Sequence, residues 1–359
     1  VTISTTSSTG TTGSTSGSTR PAGADSLRSS RRSRVVWLLV VVGVLACVAV
    51  SSLVLGSRQV GWGDIVAGVT GHDTTIAEAA VAKRVPRTVL AMVVGAALGL
   101  AGAAMQGVTR NPLADPGILG VNMGASLAVV TGIAWFGLSG AQSFTWVAIT
   151  GAAVTAVFVY AVASMGRGGP TPLKLALAGT ATTAAFSSFI TAVVLPRGDI
   201  ADSVRSWQIG GVGGATFDRI LPVVPFLVVG LLVSVVSARG LNSLALGDDV
   251  AAGLGERVAI ARGSAALGAV VLCGAATALA GPIGFVGLVL PHVCRLLVGI
   301  DHRWLLPFSA LTGACLLTVA DVVGRVVARP GELDVGIITA IIGAPFFIYI
   351  VRRQKVRAL

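Results

Sequence analysis

Charge is what this chain of 359 residues has least of. Asp, Glu, Lys and Arg make up 11% of it, where soluble domains carry about 25%. That shortage, beside 54% hydrophobic residues and a mean hydropathy of +0.87, excludes an ordinary soluble globular domain. Histidine is nearly missing too. His72, His292 and His302 are too scattered to form a metal site. Cysteine is limited to Cys47, Cys273, Cys294 and Cys315, all in apolar segments without metal-ligand spacing, so they read as small core residues. No metal site and no cofactor bound by this chain are expected. Its lysines are followed by Arg84, Leu175 and Val356, whereas a P-loop needs Ser or Thr after its Lys. No ATPase motif is present, and no residue is expected to do bond chemistry.

Long apolar runs are what the chain does have. They fall at about 35–55, 88–108, 117–136, 144–165, 173–195, 220–238, 258–280, 282–299, 304–328 and 335–351. Each is near the ~20 residues that span hydrocarbon. They are continuous rather than alternating, which disfavours a β-barrel. The fold class is an all-α polytopic membrane protein with about ten transmembrane helices. Residues 1–34 are Ser/Thr/Gly-rich and then basic, which predicts a disordered tail. The run at 35–55 is long enough to stay as the first span rather than act as a cleaved leader. The net charge of +11 would suit nucleic acid in a soluble protein. Here Lys and Arg cluster at span ends, as topology requires, and nucleic acid is not an expected partner. With the N-terminus inside, the larger share of basic residues lies on the cytoplasmic side. Both termini are then cytoplasmic, in a multi-pass protein of the cell membrane, bathed by membrane lipid. The outer side still holds an unusual number of arginines, among them Arg58, Arg84, Arg87, Arg325 and Arg329.

A transporter needs an energy source, and ionisable groups inside the spans are almost absent. Asp321 and Arg325 share one helix face and read as a structural pair more readily than as a proton relay. Energy then comes from a partner, or from ion coupling that the sequence does not display. Between two spans lies "LNSLALGDDVAAGLGER", residues 241–257, too acidic to cross a bilayer yet helical in rhythm. Leu246, Val250 and Leu254 are four apart and form one apolar stripe. Asp248 or Asp249 can cap the helix, and Gly253 and Gly255 can end it. A helix lying on the membrane would favour basic residues on its polar face.

Other motifs punctuate the spans. "RVPR" (84–87) places two arginines around Pro86 just before the second span, with Pro86 expected in the first turn. They could snorkel at the interface or present guanidinium groups to carboxylates of a partner. "RNPLADPG" (110–117) reads as a turn, with Asp115 capping and Pro116 opening the next helix. "GPTPLK" (169–174) is a stiff proline loop. "SVRSWQIGGVGG" (203–214) brings Trp207 to an interface beside Gly210 and Gly211, where a hinge is expected. Glycines 95, 99, 102, 120 and 124 suit close helix packing in lipid. His292 and Arg295 suit a helix C-terminus.

The stretch "RVPRTVLAMVVGAALGLAGAAMQGVTRNPLADPGILGVNMGASLAV" (84–129) resembles the signature of the FecCD-type permeases. "WQIGGVGG", "LNSLALGDDVAAGLG", "GPIGFVGLVLPHVCRLLVGIDHRWLLPFSALTGACLLTVAD" and "GELDVGIITAIIGAPFFIYIVRR" resemble its other blocks, in order. The similarity covers the chain from the first span onward, so residues 35–359 form a permease domain and 1–34 lie outside it. The resemblance implies the type II fold of ATP-binding-cassette importers, and a membrane subunit that imports an iron-siderophore by alternating access. Haem or vitamin B12 is the alternative cargo; an ion-coupled secondary transporter is the alternative of another class. Two copies of an ATP-binding subunit, which holds the ATP, a substrate-binding protein on the outer face and a second permease protomer, identical or not, are the implied partners. The resemblance assigns ATPase coupling to Leu246, Gly247, Asp248, Val250, Ala251, Leu254 and Gly255. It assigns binding-protein docking to Arg84, Arg87 and Arg325. Asn111, Leu113, Thr171, Pro172, Trp207, Gly210 and Gly211 are placed at gates or along the pathway. The sequence departs from the family at Asp334, where proline usually stands; Asp can cap the last helix instead.

Overall fold

The computed structural model of the chain describes residues 31–56, 60–71, 74–138, 141–165 and 171–353. Most of the expected tail (1–30), Arg58, His72, residues 169–170 of the proline loop and the last basic residues lie outside them. The described residues form helices and no strand. α1 (Arg31–Val54) opens four residues inside the expected tail. α2 (Trp62–Val69) is a short helix that the apolar runs did not announce. α3 (Ile76–Thr109) is the axis of the molecule and starts twelve residues before the expected span. The reason is a capping box. Thr75 Oγ1 accepts from the Glu78 N–H at 3.2 Å, and the Glu78 carboxylate accepts from the Thr75 N–H at 3.0 Å. Pro86 therefore lies inside α3 rather than in its first turn, and the helix runs through it.

A 3-10 turn (Pro116–Leu119) leads into α4 (Val121–Phe136), then α5 (Ala141–Ser164), α6 (Pro172–Val194) and α7 (Gly198–Ile209). α8 (Phe217–Ile220) and a 3-10 turn run into α9 (Val224–Val236). Two short helices follow, α10 (Ala238–Leu244) and α11 (Asp248–Gly253). α12 (Val258–Ala280), α13 (Val286–Val298), α14 (His302–Val327) and α15 (Val335–Arg353) complete the order. Among the described residues, seven helical segments are long and apolar enough to cross a membrane, and three shorter apolar ones lie at 121–136, 286–298 and 335–350. These ten match the ten runs read from the sequence. α13 is shorter than its run because 281–284 are non-helical and Phe285 takes a left-handed φ of 68°. Non-helical backbone is tolerated at depth only where protein covers it, and Ile283 is buried.

α3 packs against α14, α12 and α13. Small residues set these distances. Gly95 and Gly99 face the backbone of Gly313 and Ser309 on α14, and Gly102 faces Gly287 on α13. A Cβ at Gly102 would overlap the Gly287 backbone. In lipid such close approach supplies the dispersion that apolar solvent cannot. The expected pair Gly120 and Gly124 divides its work. Gly124 lies against Thr155 and Gly151 of α5, while Gly120 takes a φ of 70° between the 3-10 turn and α4.

Candidate functional site

Polar groups collect at the two opposite ends of the bundle. At one end lies α11. Gly247 precedes it with a φ of 112°, and Gly255 follows with a φ of 82°. The Gly255 N–H donates to the Ala252 carbonyl at 2.9 Å and the Glu256 N–H to the Ala251 carbonyl at 3.0 Å, the two bonds of a Schellman stop. Gly247 therefore holds the N-cap position that the sequence offered to an aspartate, and Gly255 makes the stop. Asp248 does other work. Its carboxylate pairs with Arg110 at the end of α3 and with Arg262 on α12 at 2.9 Å. Leu246, Val250 and Leu254 are 60%, 51% and 67% exposed, so the predicted stripe faces outward. Ala251, assigned to the same surface, is instead fully buried against the bundle.

The gate candidates Asn111, Leu113, Thr171 and Pro172 lie toward the same end of the bundle. Asn111 Oδ1 accepts from the Leu113 N–H at 3.0 Å, which fixes the turn after α3. Asp115 Oδ1 accepts from the Gly117 N–H at 2.7 Å. Burial raises the Asp115 carboxyl above the ordinary carboxylate range, and the Gly117 bond offsets part of that. Thr171 caps α6, its Oγ1 accepting from the Lys174 N–H at 3.3 Å, with Pro172 at the first position. A cavity of about 520 Å³ lies among Arg110, Leu119, Tyr160, Thr171, Asp248 and Arg262. One coupling candidate, Asp248, and one gate candidate, Thr171, thus share a cavity.

At the other end the arginines converge. Arg84 Nη1 donates to the Leu53 and Val54 carbonyls at 2.9 and 3.0 Å. Arg325 Nη1 donates to the Ser52 and Leu55 carbonyls at 3.0 and 3.2 Å, and Arg329 to that of Gly56 at 2.5 Å. All are carbonyls of the last turn of α1 or just beyond it, which have no partner within the helix. The expected excess of outer arginines thus caps a helix C-terminus, where cations also suit the dipole. Asp321, fully buried, holds Arg325 at 2.8 Å and Arg87 at 2.8 Å. Arg87 continues to Glu332 at 2.6 Å. Arg84 and Arg325 are 6% and 2% exposed, so their guanidinium groups face these partners. Arg87 and Glu332 lie nearer the surface, with side chains 12% and 39% exposed.

Beside this cluster a cavity of about 500 Å³ is lined by Leu90, Phe144, Trp207, Gly211, Arg219 and Asp334. Trp207 lies in the last turn of α7. The glycines after it are pinned. The Gly211 N–H donates to the Ala280 carbonyl at 2.8 Å, and the Gly336 N–H to the Gly210 carbonyl at 3.0 Å. Gly210, with a φ of 78°, and Gly211 thereby link the end of α12 to the start of α15. Asp334 takes the N-cap position of α15 with its side chain against Gly211. Burial raises its carboxyl, which the Arg87 charge partly counters.

Residues 39–353 match the FecCD transport family. The chain belongs to this family. FepD of Escherichia coli (strain K12), a ferric enterobactin transport system permease, is 47% identical over 272 residues, 76% of this chain and 81% of the relative. HmuU of Yersinia pestis, a hemin transport system permease, is 38% identical over 279 residues, 76% of this chain and 82% of the relative. A solved inward-facing structure described as a metal-chelate type ABC transporter aligns with a TM-score of 0.77 at 27% identity, covering 89% of this chain and all of the other. FecCD membership makes the chain a permease of an ABC importer, a transport subunit rather than a catalytic one. The coupling candidate Asp248 and the gate candidate Thr171 of this FecCD chain line one cavity, and Trp207, Gly210 and Gly211 lie together at the far end. Arg110, Arg262, Arg329, Glu332 and Ser52 belong to these clusters but were not among the sequence candidates. No spacing rule joins them, since their partners are 14 to 273 residues away.

Proposed function

We propose that this FecCD permease moves an iron-siderophore complex inward by alternating access, driven by ATP on two copies of a separate subunit. The observation that carries this reading is the exposed apolar trio of Val250 on α11 and Leu246 and Leu254 flanking it, with α11 tied through Asp248 to Arg110. A six-residue helix is marginal alone. Here glycine turns bound it and ion pairs hold it, leaving an apolar face for a groove on the ATPase. Motion of that groove would pull α11, Arg110 and the Asn111–Leu113 turn as one piece. The α11 end, which gathers Arg34, Arg110, Arg239, Arg262 and Arg303, is the cytoplasmic one, so both termini are cytoplasmic in the cell membrane.

A substrate-binding protein docks over the opposite rim. Arg84 and Arg325 build that rim from within, and Arg87 with Glu332 offers the reachable charges. A second permease protomer covers exposed apolar residues of α5 such as Val154 and Val157 and completes the pathway; an identical or a sister chain would serve. The cargo reading rests on the identity to FepD; the identity to HmuU supports haem as the second reading. The test is the affinity of the partner binding protein for ferric siderophores, haem and cobalamin. Tight binding of a ferric siderophore alone is expected. Selective binding of haem or cobalamin would overturn the cargo and leave the coupling reading standing.

A further inference from the structure

At the α11 end a cleft of about 360 Å³ opens between the close of α9, the start of α10 and the first turns of α14. Val235, Val236, Leu306 and Pro307 form its apolar walls, and Arg239 and Arg303 line it too. Both arginines are exposed, and neither is in an ion pair among the described residues. Asp301, two residues before Arg303, is already engaged. It accepts from Asn242 Nδ2 at 2.7 Å and from the Arg303 backbone N–H at 3.0 Å, and Arg34 lies 3.7 Å from its other oxygen. Two guanidinium groups without a salt bridge therefore line one cleft, with the Asp301 carboxylate attracting Arg303 at longer range. The apolar wall does not stop at the cleft. Leu232, Val235 and Val236 continue along α9 at 57%, 45% and 77% exposure, on a segment that crosses the membrane.

We propose that this cleft binds an anionic phospholipid, with the headgroup phosphate between Arg239 and Arg303 and an acyl chain along α9. Guanidinium matches phosphate in charge and in paired donors, and basic clefts between membrane helices suit anionic headgroups. A free phosphate would use the arginines but leave the apolar wall without a purpose. α10 leads within three residues to α11. Lipid held here steadies the base of the helix that carries the exposed stripe.

The test is thermal unfolding of the full chain in detergent with added phosphatidylglycerol, phosphatidylcholine or inorganic phosphate. Native protein is compared with the double variant R239Q/R303Q and with each single variant. Phosphatidylglycerol is expected to raise the midpoint by several degrees more than phosphatidylcholine does. The double variant should lose that difference while keeping the native midpoint in phosphatidylcholine. Each single variant should lose part of it, which serves if the double variant folds poorly. Equal effects of the two lipids on native protein, or a difference that survives both substitutions, would overturn the proposal. Inorganic phosphate reproducing the shift would also overturn it, in favour of a soluble anion site.

Discussion

Asp321 is the residue on which the arginine-rich end depends. It is fully buried and lies between Arg87 and Arg325, and Arg325 in turn holds the end of α1. Removing one partner of a buried pair leaves an uncompensated charge, at about 3–5 kcal/mol. Asp321→Asn is therefore expected to lower stability by that order, measured as unfolding in detergent against the native chain; an unchanged midpoint would refute the role. Asp248 is the contrast. Its pairs are 46% exposed on the acid side, and such pairs contribute about 0–1 kcal/mol. Asp248→Asn should leave the unfolding midpoint near native and show its effect as weaker ATPase stimulation by cargo. Asp115 gives a pH dependence. Its folded carboxyl titrates above its unfolded value. The contribution is then full below the unfolded value, about pH 4, and is lost as pH rises through the folded one. Asp115→Asn should remove that loss, so the native-minus-variant stability difference falls with pH; a flat difference would refute it. At this scale the sequence paired Asp321 with Arg325 correctly, because four residues on one helix are neighbours. It did not bring in Arg87, which comes from another helix 234 residues away.

α11 is the element on which the proposed coupling turns. Its outward residues and its inward one make opposite predictions. Val250→Arg and Leu254→Arg place charge on exposed positions, so the permease should fold as before and fail to retain its ATPase partner on co-purification. Ala251→Arg forces a cation into a fully buried site and should destabilise the chain itself. Full ATPase retention by both outward variants would refute the coupling surface. The helix was legible in the sequence because its apolar residues recur every four positions and glycines flank it. Which alanine faced inward was not, since a stripe fixes its own side and not the packing behind it. The start of α3 was legible in principle, from the Thr75 to Glu78 spacing, but the apolar run drew attention further along. α2 and the shortened α13 escaped for a related reason. Apolar composition reports burial or lipid contact, and a left-handed Phe285 has no sequence signal at all.

The whole molecule is a bundle around α3 with a cavity on its axis toward each end. The cavity by Trp207 and Asp334 and the cavity by Thr171 and Asp248 lie on opposite sides of the packed Gly95–Gly102 segment. Two end chambers with a close-packed middle suit a pathway that opens one side at a time. The number and order of the membrane helices were readable because each run must cover hydrocarbon thickness. The polar clusters at the ends were not, because they are assembled from distant turns. The central claim is that a partner's ATP powers inward transport through this chain. It is tested by uptake of a ferric siderophore into vesicles holding the permease, its ATP-binding subunit and the binding protein. Uptake should require ATP and vanish when the ATPase partner is inactivated. Uptake that survives the inactive partner and follows a proton gradient would contradict the account.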